Sequence, residues 1–412
     1  MVTSILRAGG CCLLLFFTAC SLSRPVAEQN LAHLYSGNSP FAADFSLVAS
    51  PEEVHVFAKI GFQFPEFSAA RPGFWEKYRI RYQLRPGFES SRMLQSDSIG
   101  PEMLVSGTGW NPVFQLSFPL AAADRMLLLQ VSHRSGGGEY AYVCRIPGEE
   151  SGGPGPFAVF SSSGKIPLTG GLARQGDTLA IRSFDFRKQS VKAFFSPFSQ
   201  GVAMPPMAGI PLLDTLPDPE YPVEIQLNEP MIFRQPGYYI LEDSTGKRGC
   251  GFAVAEGDFP APATAAGLIL PLVYISTREE RKSLQQAADA KEALDAFWLK
   301  ISPQKDRARE LIRKYYQHIE TANRHFTISK EGWKTDMGMV MAIFGPPFQV
   351  FKGRDSEIWV YDKGHGPENS VFYFFRKQAG NFADIWELKR LSDYDKVWYG
   401  VVDLWRKGLI DR

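Results

Sequence analysis

EGWKTDMG at residues 331–338 and FGPP at residues 344–347 decide how the C-terminal third of this chain folds. The first stretch predicts the start of a short helix, because the side-chain oxygen of Thr335 or Asp336 can accept hydrogen bonds from backbone amides one turn further on. Gly345 fits the left-handed position that ends a helix, and the two prolines after it prevent continuation. The two stretches therefore predict one short helix with defined ends.

Trp333 is the largest residue of the first stretch. It lies beside Gly332, which permits backbone angles that other residues resist, and we expect it to anchor the turn before the helix. Asp336 allows a second interpretation, in which its carboxylate is a catalytic acid or base. General acid–base chemistry needs a partner group within reach, and the Gly-Trp-x-Thr-Asp motif contains no second acidic residue. We therefore expect a structural role for the motif.

Two helical segments are predicted before this motif. Thr277-Arg278-Glu279-Glu280 fits a capping box, and we expect one helix from there to about Lys300. The next helix has apolar residues that recur every three or four positions: Ala308, Leu311, Ile312, Tyr315, Ile319, Ala322 and Phe326. His318 and His325 lie seven residues apart on it. This spacing disfavours a metal site, since ligands on one helix normally come three or four residues apart.

Strands and a final helix are predicted after the motif. Three strands come first: Glu357–Tyr361, Ser370–Phe375 and 383–389. A sheet covered by helices on one side is an α+β domain. The tail, 394–409, predicts an amphipathic helix whose apolar stripe includes Trp398 and Trp405. Such a stripe is usually part of a core, and the alternative is a docking surface for a partner.

The motif resembles the signature of the GWxTD-domain family of bacterial envelope proteins, over roughly residues 270 to 390. The residues that carry the resemblance are Gly332, Trp333, Thr335, Asp336, Gly338, Gly345, Pro346, Pro347, Trp359 and Tyr361. Upstream pairs also match: Phe297-Trp298, Tyr315-Tyr316 and Ala322-Asn323. The resemblance implies a place in the bacterial cell envelope and an α+β architecture. It implies no established biochemical activity.

The N-terminus predicts a lipoprotein signal peptide over residues 1–19. One basic residue, Arg7, precedes an apolar run that is too short to span a membrane, which takes about 20 residues. The run ends at Phe17-Thr18-Ala19-Cys20, which is similar to a lipobox. The similarity implies cleavage before Cys20, lipidation of its thiol and attachment to a membrane. The alternative is an ordinary signal peptide cut near Ala19.

The residues after the cysteine indicate where in the cell envelope the protein is located. Ser21 and Leu22 follow the cysteine, and neither is Asp. In Gram-negative lipoproteins this favours transport to the outer membrane, so we expect an outer-membrane lipoprotein on the periplasmic face. The composition, 44% hydrophobic and 22% charged, agrees with a folded, exported protein. The balance of 45 Lys and Arg against 44 Asp and Glu argues against nucleic acid as a partner, since phosphate binding needs a basic surplus.

The middle of the chain is rich in short strands. Residues Tyr78, Ile80, Tyr82 and Leu84 alternate with charged or polar ones, which predicts a strand with one buried face. Recurring strands of this kind predict two antiparallel β-sandwich domains of immunoglobulin-like type. Gly- and Pro-rich stretches separate the domains. The predicted divisions are the signal peptide 1–19, a tether 20–40, β-sandwiches 41–148 and 157–255, a Pro-rich linker 256–270 and the GWxTD α+β domain 271–412.

Cys144 and Cys250 are the cysteines that remain outside the leader and its cleavage site. An oxidising compartment would permit a disulfide between them. The alternative is two buried free thiols, since free Cys behaves as a small hydrophobe.

Sequence motifs for common chemistries are absent from the chain. It contains no GxSxG, P-loop, HExxH or Gly-rich dinucleotide fingerprint, so we expect no cofactor and no metal. Our principal hypothesis is a non-enzymatic envelope lipoprotein whose C-terminal domain binds an envelope protein. The alternative is an envelope hydrolase or carbohydrate-acting protein that uses Asp336, Glu357 or Asp384. Two of these carboxylates about 5 to 10 Å apart in a cleft would favour that alternative.

Overall fold

The structure, a computed structural model, describes most of the chain beyond the predicted leader. The described residues are 24–37, 39–62, 74–106, 111–136, 138–161, 167–185, 191–208, 221–243, 246, 248–362, 369–378 and 384–410. The predicted cleavage before Cys20 and its lipidation therefore lie outside the described residues. No helix in the described part of the chain is long and apolar enough to cross a membrane.

The first domain is a β-sandwich. Its strands are β1 (Phe41–Ala49), β2 (Glu53–Phe62), β3 (Tyr78–Arg85), β4 (Gln95–Ile99), β5 (Leu104–Ser106), β6 (Val113–Pro119), β7 (Arg125–His133) and β8 (Glu139–Ile146), and a single helical turn, α1 (Phe74–Lys77), leads into β3. An antiparallel sheet in the order β1-β2-β6-β5 packs on one in the order β4-β3-β7-β8. Tyr78, Ile80, Tyr82 and Leu84 are buried between the sheets, which confirms the predicted alternation.

Strand β7 is buried on both faces, which explains its continuous apolar run. Leu127, Leu129 and Val131 belong to the core of the first sandwich. Met126 and Leu128 point the other way and belong to the core of the C-terminal domain. A strand covered on both faces reads as a hydrophobic run instead of an alternation. The first and last domains therefore share buried surface.

The second domain is also a sandwich. Its strands are β9 (Phe157–Ser161), β10 (Leu172–Arg174), β11 (Thr178–Ser183), β12 (Val191–Ser196), β13 (Tyr221–Ile225), β14 (Pro230–Ile232), β15 (Gly237–Asp243) and β16 (Arg248–Ala255). A sheet in the order β10-β16-β15-β12-β13 faces one in the order β14-β11-β9. The closing hairpin of β15 and β16 agrees with the prediction, although residues 244, 245 and 247 of its turn lie outside the described residues.

The two remaining cysteines lie in different cores. Cys144, on β8, belongs to the first sandwich, and Cys250, on β16, packs against the second. Both are free thiols. The disulfide is therefore not formed, and the alternative of free thiols describes the structure. Burial raises the pKa of each thiol to about 12, which is typical of unreactive structural cysteines.

The C-terminal domain places helices on one face of a small sheet, and the predicted fold class, two sandwiches followed by an α+β domain, is confirmed. Its helices are α2 (Ala265–Ile269), α3 (Arg278–Gln286), α4 (Ala290–Ile301), α5 (Lys305–Phe326), α6 (Asp336–Phe344) and α7 (Tyr394–Arg406). Its strands are β17 (Gln349–Lys352), β18 (Ser356–Tyr361), β19 (Ser370–Gln378) and β20 (Asp384–Leu388), antiparallel and in chain order. Every residue of α6 is buried.

The predicted capping box forms at the start of α3. The Thr277 hydroxyl accepts from the amide of Glu280, and the Glu280 carboxylate accepts from the amide of Thr277. Hydrogen bonds from Arg406 of α7 and from Lys300 help to lower the pKa of Glu280 to about 2. The single helix expected to reach Lys300 is wrong, however. The chain breaks after α3, and Asp289 caps a separate helix, α4.

The segment expected to be a flexible tether is instead docked on the C-terminal domain over residues 24–37. It forms two short 3₁₀ turns, Val26–Glu28 and Ala32–Leu34. The amide of Leu31 donates to the carbonyl of Val350 at 2.8 Å, and Val350 donates to Asn30 Oδ1 at 3.0 Å. Val26, Leu31 and Tyr35 are buried in the C-terminal core. The prediction of a flexible tether is therefore wrong for this segment, because its apolar side chains pack into the core of the C-terminal domain.

We predict that Leu31→Ala destabilises the C-terminal domain. Leu31 is 1% exposed, so its removal should leave a cavity and lower the free energy of unfolding by about 3 kcal/mol. Urea unfolding followed by tryptophan fluorescence measures the change. The matched control is Leu299→Ala on α4, where the side chain is 38% exposed and the change should be small. Equal stability of the two variants would contradict docking of the N-terminal segment.

Candidate functional site

The signature motif is built around two close approaches of backbone to backbone. A Cβ added at Gly332 would lie 2.0 Å from the carbonyl oxygen of Ala322 on α5. A Cβ added at Gly338 would lie 1.8 Å from the carbonyl oxygen of Gly332. The 3₁₀ turn Gly332–Lys334 therefore lies directly on α5, and the first turn of α6 lies directly on that turn. Gly332 is required for space, and not for the unusual backbone angle that we expected.

Trp333 anchors this turn, as predicted. Its ring is 3% exposed and packs edge-to-face with Tyr274, whose hydroxyl donates to the Trp333 carbonyl at 3.1 Å. The indole Nε1 donates to Glu331 at 2.8 Å. The backbone amide of Trp333 donates to Asn323 Oδ1 at 3.2 Å, which ties the turn to the Ala322-Asn323 pair on α5. Each polar group of the buried turn thus has a partner.

Thr335, and not Asp336, caps helix α6. Its hydroxyl accepts from the amide of Gly338 at 3.0 Å and donates to the carbonyl of Gly332 at 2.7 Å. Asp336 is the first helical residue, and its Oδ2 accepts from the amide of Leu388 at 2.8 Å, at the end of β20. Its Oδ1 forms an ion pair with Arg390. Asp336 therefore joins α6 to the sheet, because its side chain turns away from the helix end.

Arg390 extends this connection to the second sandwich. Its guanidinium donates to the carbonyls of Met204 and Pro205 as well as to Asp336. The amide of Ala203 donates to the carbonyl of Lys334 at 2.9 Å, in the motif itself. The segment that follows β12 is thus held against the motif.

Gly345 ends α6 as predicted. Its φ angle is +72°, and a Cβ there would lie 2.7 Å from the His318 ring, so both conformation and space require glycine. Its carbonyl accepts from the Tyr361 hydroxyl at 2.8 Å. Pro346 and Pro347 follow it and lead into β17. The end of α6 is therefore held by groups from α5 and β18.

Trp398 and Trp405 do not form a docking surface. They are 2% and 0% exposed. Trp405 Nε1 donates to the carbonyl of Ile343 at 2.9 Å, and the Trp398 ring packs against Tyr274 and Phe344. The expected role in a core is confirmed and the alternative of a docking surface is wrong, because α7 lies across α6 and covers it.

A cavity of about 290 Å³ lies between the motif, the end of α5 and the sheet. Its lining residues are Tyr35, His325, Phe326, Ile328, Ser329, Lys330, Thr335, Met337, Lys352, Glu357, Asp384, Ile385 and Trp386. The volume is close to the lower limit for small-molecule sites, about 300 Å³. The N-terminal segment contributes Tyr35, so the cavity is lined by segments that are far apart in the sequence.

Glu357 is the buried charge of this cavity. It is 1% exposed, and its Oε1 accepts from the Tyr35 hydroxyl at 2.6 Å and from Trp359 Nε1 at 2.9 Å. Its Oε2 pairs with Lys352 Nζ at 3.0 Å. Burial and the Glu357 charge raise the pKa of Tyr35 far above its usual value. The carboxylate is thus fixed by donors from β17, β18 and the N-terminal segment.

His325 and Asp384 line the same cavity. Enclosure by protein atoms, together with the charges of Arg324 and Lys352, lowers the pKa of His325 to about 4, so its ring is neutral at pH 7. Asp384 is 39% exposed and pairs with Arg376 at 3.2 Å and Arg145 at 3.5 Å.

The structure brings two of the three carboxylates proposed for hydrolysis to one cavity, since Glu357 and Asp384 both line it and Asp336 does not. Alternation along β18 already placed Glu357 on the face of Trp359 and Tyr361, and this signal could have predicted its burial. Tyr35, His325 and Lys352 carried no comparable signal.

Among the described residues, no group of three His, Cys, Asp or Glu side chains converges as metal ligands would.

The fold defines a class of protein: a multidomain chain of two β-sandwiches, antiparallel except where β10 pairs with β16, followed by an α+β domain that contains the Gly-Trp-x-Thr-Asp turn. The GWxTD domain family matches residues 237–407, so the C-terminal part of the chain is a GWxTD domain. The matched region begins at Gly237 on β15, so it includes the last hairpin of the second sandwich and starts before the predicted boundary at residue 271.

Two solved structures are similar to parts of the chain. Extracellular domains 3–5 of Drosophila OTK are 13% identical over 54% of this chain and 66% of that chain, with a TM-score of 0.16. A chimeric titin Z1Z2-Z1Z2 tandem is 9% identical over 52% of this chain and 99% of that chain, with a TM-score of 0.14. No curated protein sequence matches the chain significantly.

We predict that Gly338→Ala disrupts the motif. The new methyl would collide with the backbone oxygen of Gly332, which cannot rotate away, so the free energy of unfolding should fall by about 3 kcal/mol or more. The control is Gly257→Ala, where an added Cβ meets no atom within 4 Å and stability should change by less than about 0.5 kcal/mol. Urea midpoints compare the two variants, and a stable Gly338→Ala protein would contradict the close approach.

We predict that Asp336→Asn is destabilising although Asn is a good helix cap. Loss of the charge leaves Arg390, whose side chain is 10% exposed, without its carboxylate, and breaking such a buried pair costs about 3 kcal/mol. Asp306→Asn, at a side chain that is 94% exposed, should change stability by less than about 0.5 kcal/mol. Thermal unfolding by circular dichroism measures both. An Asp336→Asn variant as stable as the unmodified protein would show that the ion pair contributes nothing to stability.

Proposed function

We propose that this protein is an outer-membrane lipoprotein of the cell envelope, anchored through Cys20 on the periplasmic side, which binds an envelope protein through its C-terminal domain and does not catalyse a reaction. The sequence of the leader and Cys20 supports the proposed location at the outer membrane. The C-terminal sheet supports the binding role.

The observation that carries the proposal is the outer face of this sheet. One face packs on the helices and holds Trp359, Phe372 and Phe374, which are fully buried. The opposite face is apolar as well. Cross-strand pairing forms a row from Phe351 to Ile358 to Tyr373 on it.

Aromatic side chains on that outer face are open to solvent. Tyr373 is 37% exposed and Phe375 is 48% exposed. Charged groups border them, since Lys389 Nζ lies 5.9 Å from the centre of the Tyr373 ring and Lys377 pairs with Glu387 at 2.8 Å. Exposed aromatic residues with a polar rim are typical of protein interfaces.

The contacts of the carboxylates favour binding over hydrolysis. Glu357 accepts from fixed donors, Asp336 holds Leu388 and Arg390, and Asp384 pairs with two arginines. Each group thus has a structural task in the domain. A general acid or base must instead be free to exchange a proton with a substrate.

The test is site-specific photo-cross-linking in cells that make the full-length protein. A photoreactive amino acid in place of Phe375 should yield a single, reproducible protein adduct. The matched control replaces Ile232, an exposed apolar residue of β14 that is 51% exposed, and should yield no such adduct. Tyr373→Ser should weaken the adduct at position 375 while the melting temperature stays unchanged. Identical products at both positions, or none at 375, would overturn the proposal.

A further inference from the structure

Arg24 is held at the end of the first sandwich. Its carbonyl accepts from Arg85 Nη1 at 3.0 Å and from Gln29 Nε2 at 3.2 Å. Two residues on, Val26 is fully buried, and the amide of Ala27 donates to the carbonyl of Phe88 at 3.1 Å. Arg24 and Ala27 therefore fix the chain to the end of the first sandwich, just before it reaches the C-terminal core.

The distance from Arg24 to the proposed anchor is short. Four steps along the chain separate Cys20 from Arg24, and four extended residues span at most about 14 Å. A longer reach would require Val26, Leu31 and Tyr35 to leave the C-terminal core, where each is nearly inaccessible to solvent. The lipid anchor thus restricts the body far more than a tether over residues 20–40 would.

The surface beside Arg24 combines apolar and basic side chains. The loop after β3 exposes Met93 by 49% and Leu94 by 44%, next to the exposed Arg92. The amide of Leu94 donates to the carbonyl of Leu84 at 2.8 Å, which fixes the loop.

The tip of the hairpin between β17 and β18 meets the same loop. The amide of Arg354 donates to Glu89 Oε1 at 3.2 Å, and the Arg354 side chain is 57% exposed. Apolar side chains flanked by arginines are suited to the boundary between acyl chains and anionic headgroups.

We propose that this end of the first sandwich, formed by Arg24, Arg92, Met93 and Leu94, lies on the lipid surface. The inference rests on the proposed acylation of Cys20 and adds an orientation to it. The short connection holds the body against the membrane, with Met93 and Leu94 in contact with lipid.

The same sandwich provides a matched control surface. Leu104 and Val105 on β5 are 39% and 44% exposed, much like Met93 and Leu94. Leu104 pairs with Phe114, whose ring lies 6.4 Å from Trp75, just before the start of β3. Arg85 is at the other end of β3, and a strand of this length spans about 23 Å. Val105 should therefore lie away from the membrane.

The experiment uses the acylated full-length protein in vesicles of phosphatidylethanolamine and phosphatidylglycerol that contain a spin-labelled lipid. An environment-sensitive fluorescent amino acid replaces Met93 or, as the control, Val105. We expect several-fold stronger quenching at position 93 than at position 105. Equal quenching at the two positions would overturn the inference.

A second variant tests the role of the short connection. Insertion of 20 Gly and Ser residues before Arg24 gives the connection a mean span of about 25 Å and should reduce quenching at position 93 toward the control value. Mass spectrometry of the N-terminal peptide reports acylation. Its absence would overturn the proposed function and the inference together, whereas equal quenching in an acylated protein would overturn the orientation alone.

Discussion

The C-terminal domain depends on backbone packing against backbone at Gly332 and Gly338. The turn lies on α5 and α6 lies on the turn, with separations that leave no room for a side chain at either glycine. The same approach places Asn323 within reach of the Trp333 amide, and the Thr335 hydroxyl joins the Gly332 carbonyl to the Gly338 amide. Helix α6, buried along its whole length, then supports the sheet on one side and α7 on the other. The motif therefore allows a fully buried helix to pack closely against its neighbours.

The same domain is completed by parts of the chain that are distant in sequence. Val26 and Leu31 enter its core from the N-terminus, and Met126 and Leu128 enter it from the outer face of β7. Arg390 ties the motif to the segment after β12. The domains thus form a connected body through shared cores, and the cavity at Glu357 is closed by Tyr35 from the other end of the chain. A lipid anchor at Cys20 would hold this body close to the membrane, because only four steps along the chain separate Cys20 from Arg24.

The buried polar groups of the cavity have a consistent physical explanation. A carboxylate in a nearly inaccessible position is costly unless donors surround it, and Glu357 has a hydroxyl, an indole and an ammonium group as partners. Asp336 is satisfied in a similar way by an amide and a guanidinium. These acids specify how the elements fit together. The exposed aromatic face of the sheet has no such internal task, which is why we connect it with a partner.

The sequence by itself determined the features that depend on local periodicity and local hydrogen bonding. Alternation predicted strand β3 of the first sandwich, the capping box predicted the start of α3, and Gly345 with its prolines predicted the end of α6. Only the tertiary structure decided which surfaces meet. The docking of residues 24–37, the burial of Trp398 and Trp405, the separate cores of Cys144 and Cys250, and the turn of Asp336 toward Leu388 all depend on contacts between distant segments. The bond from Tyr35 to Glu357 joins residues 322 positions apart. Periodicity shows that a face is apolar, but it does not show what covers that face, because the covering group is chosen by packing across the whole fold.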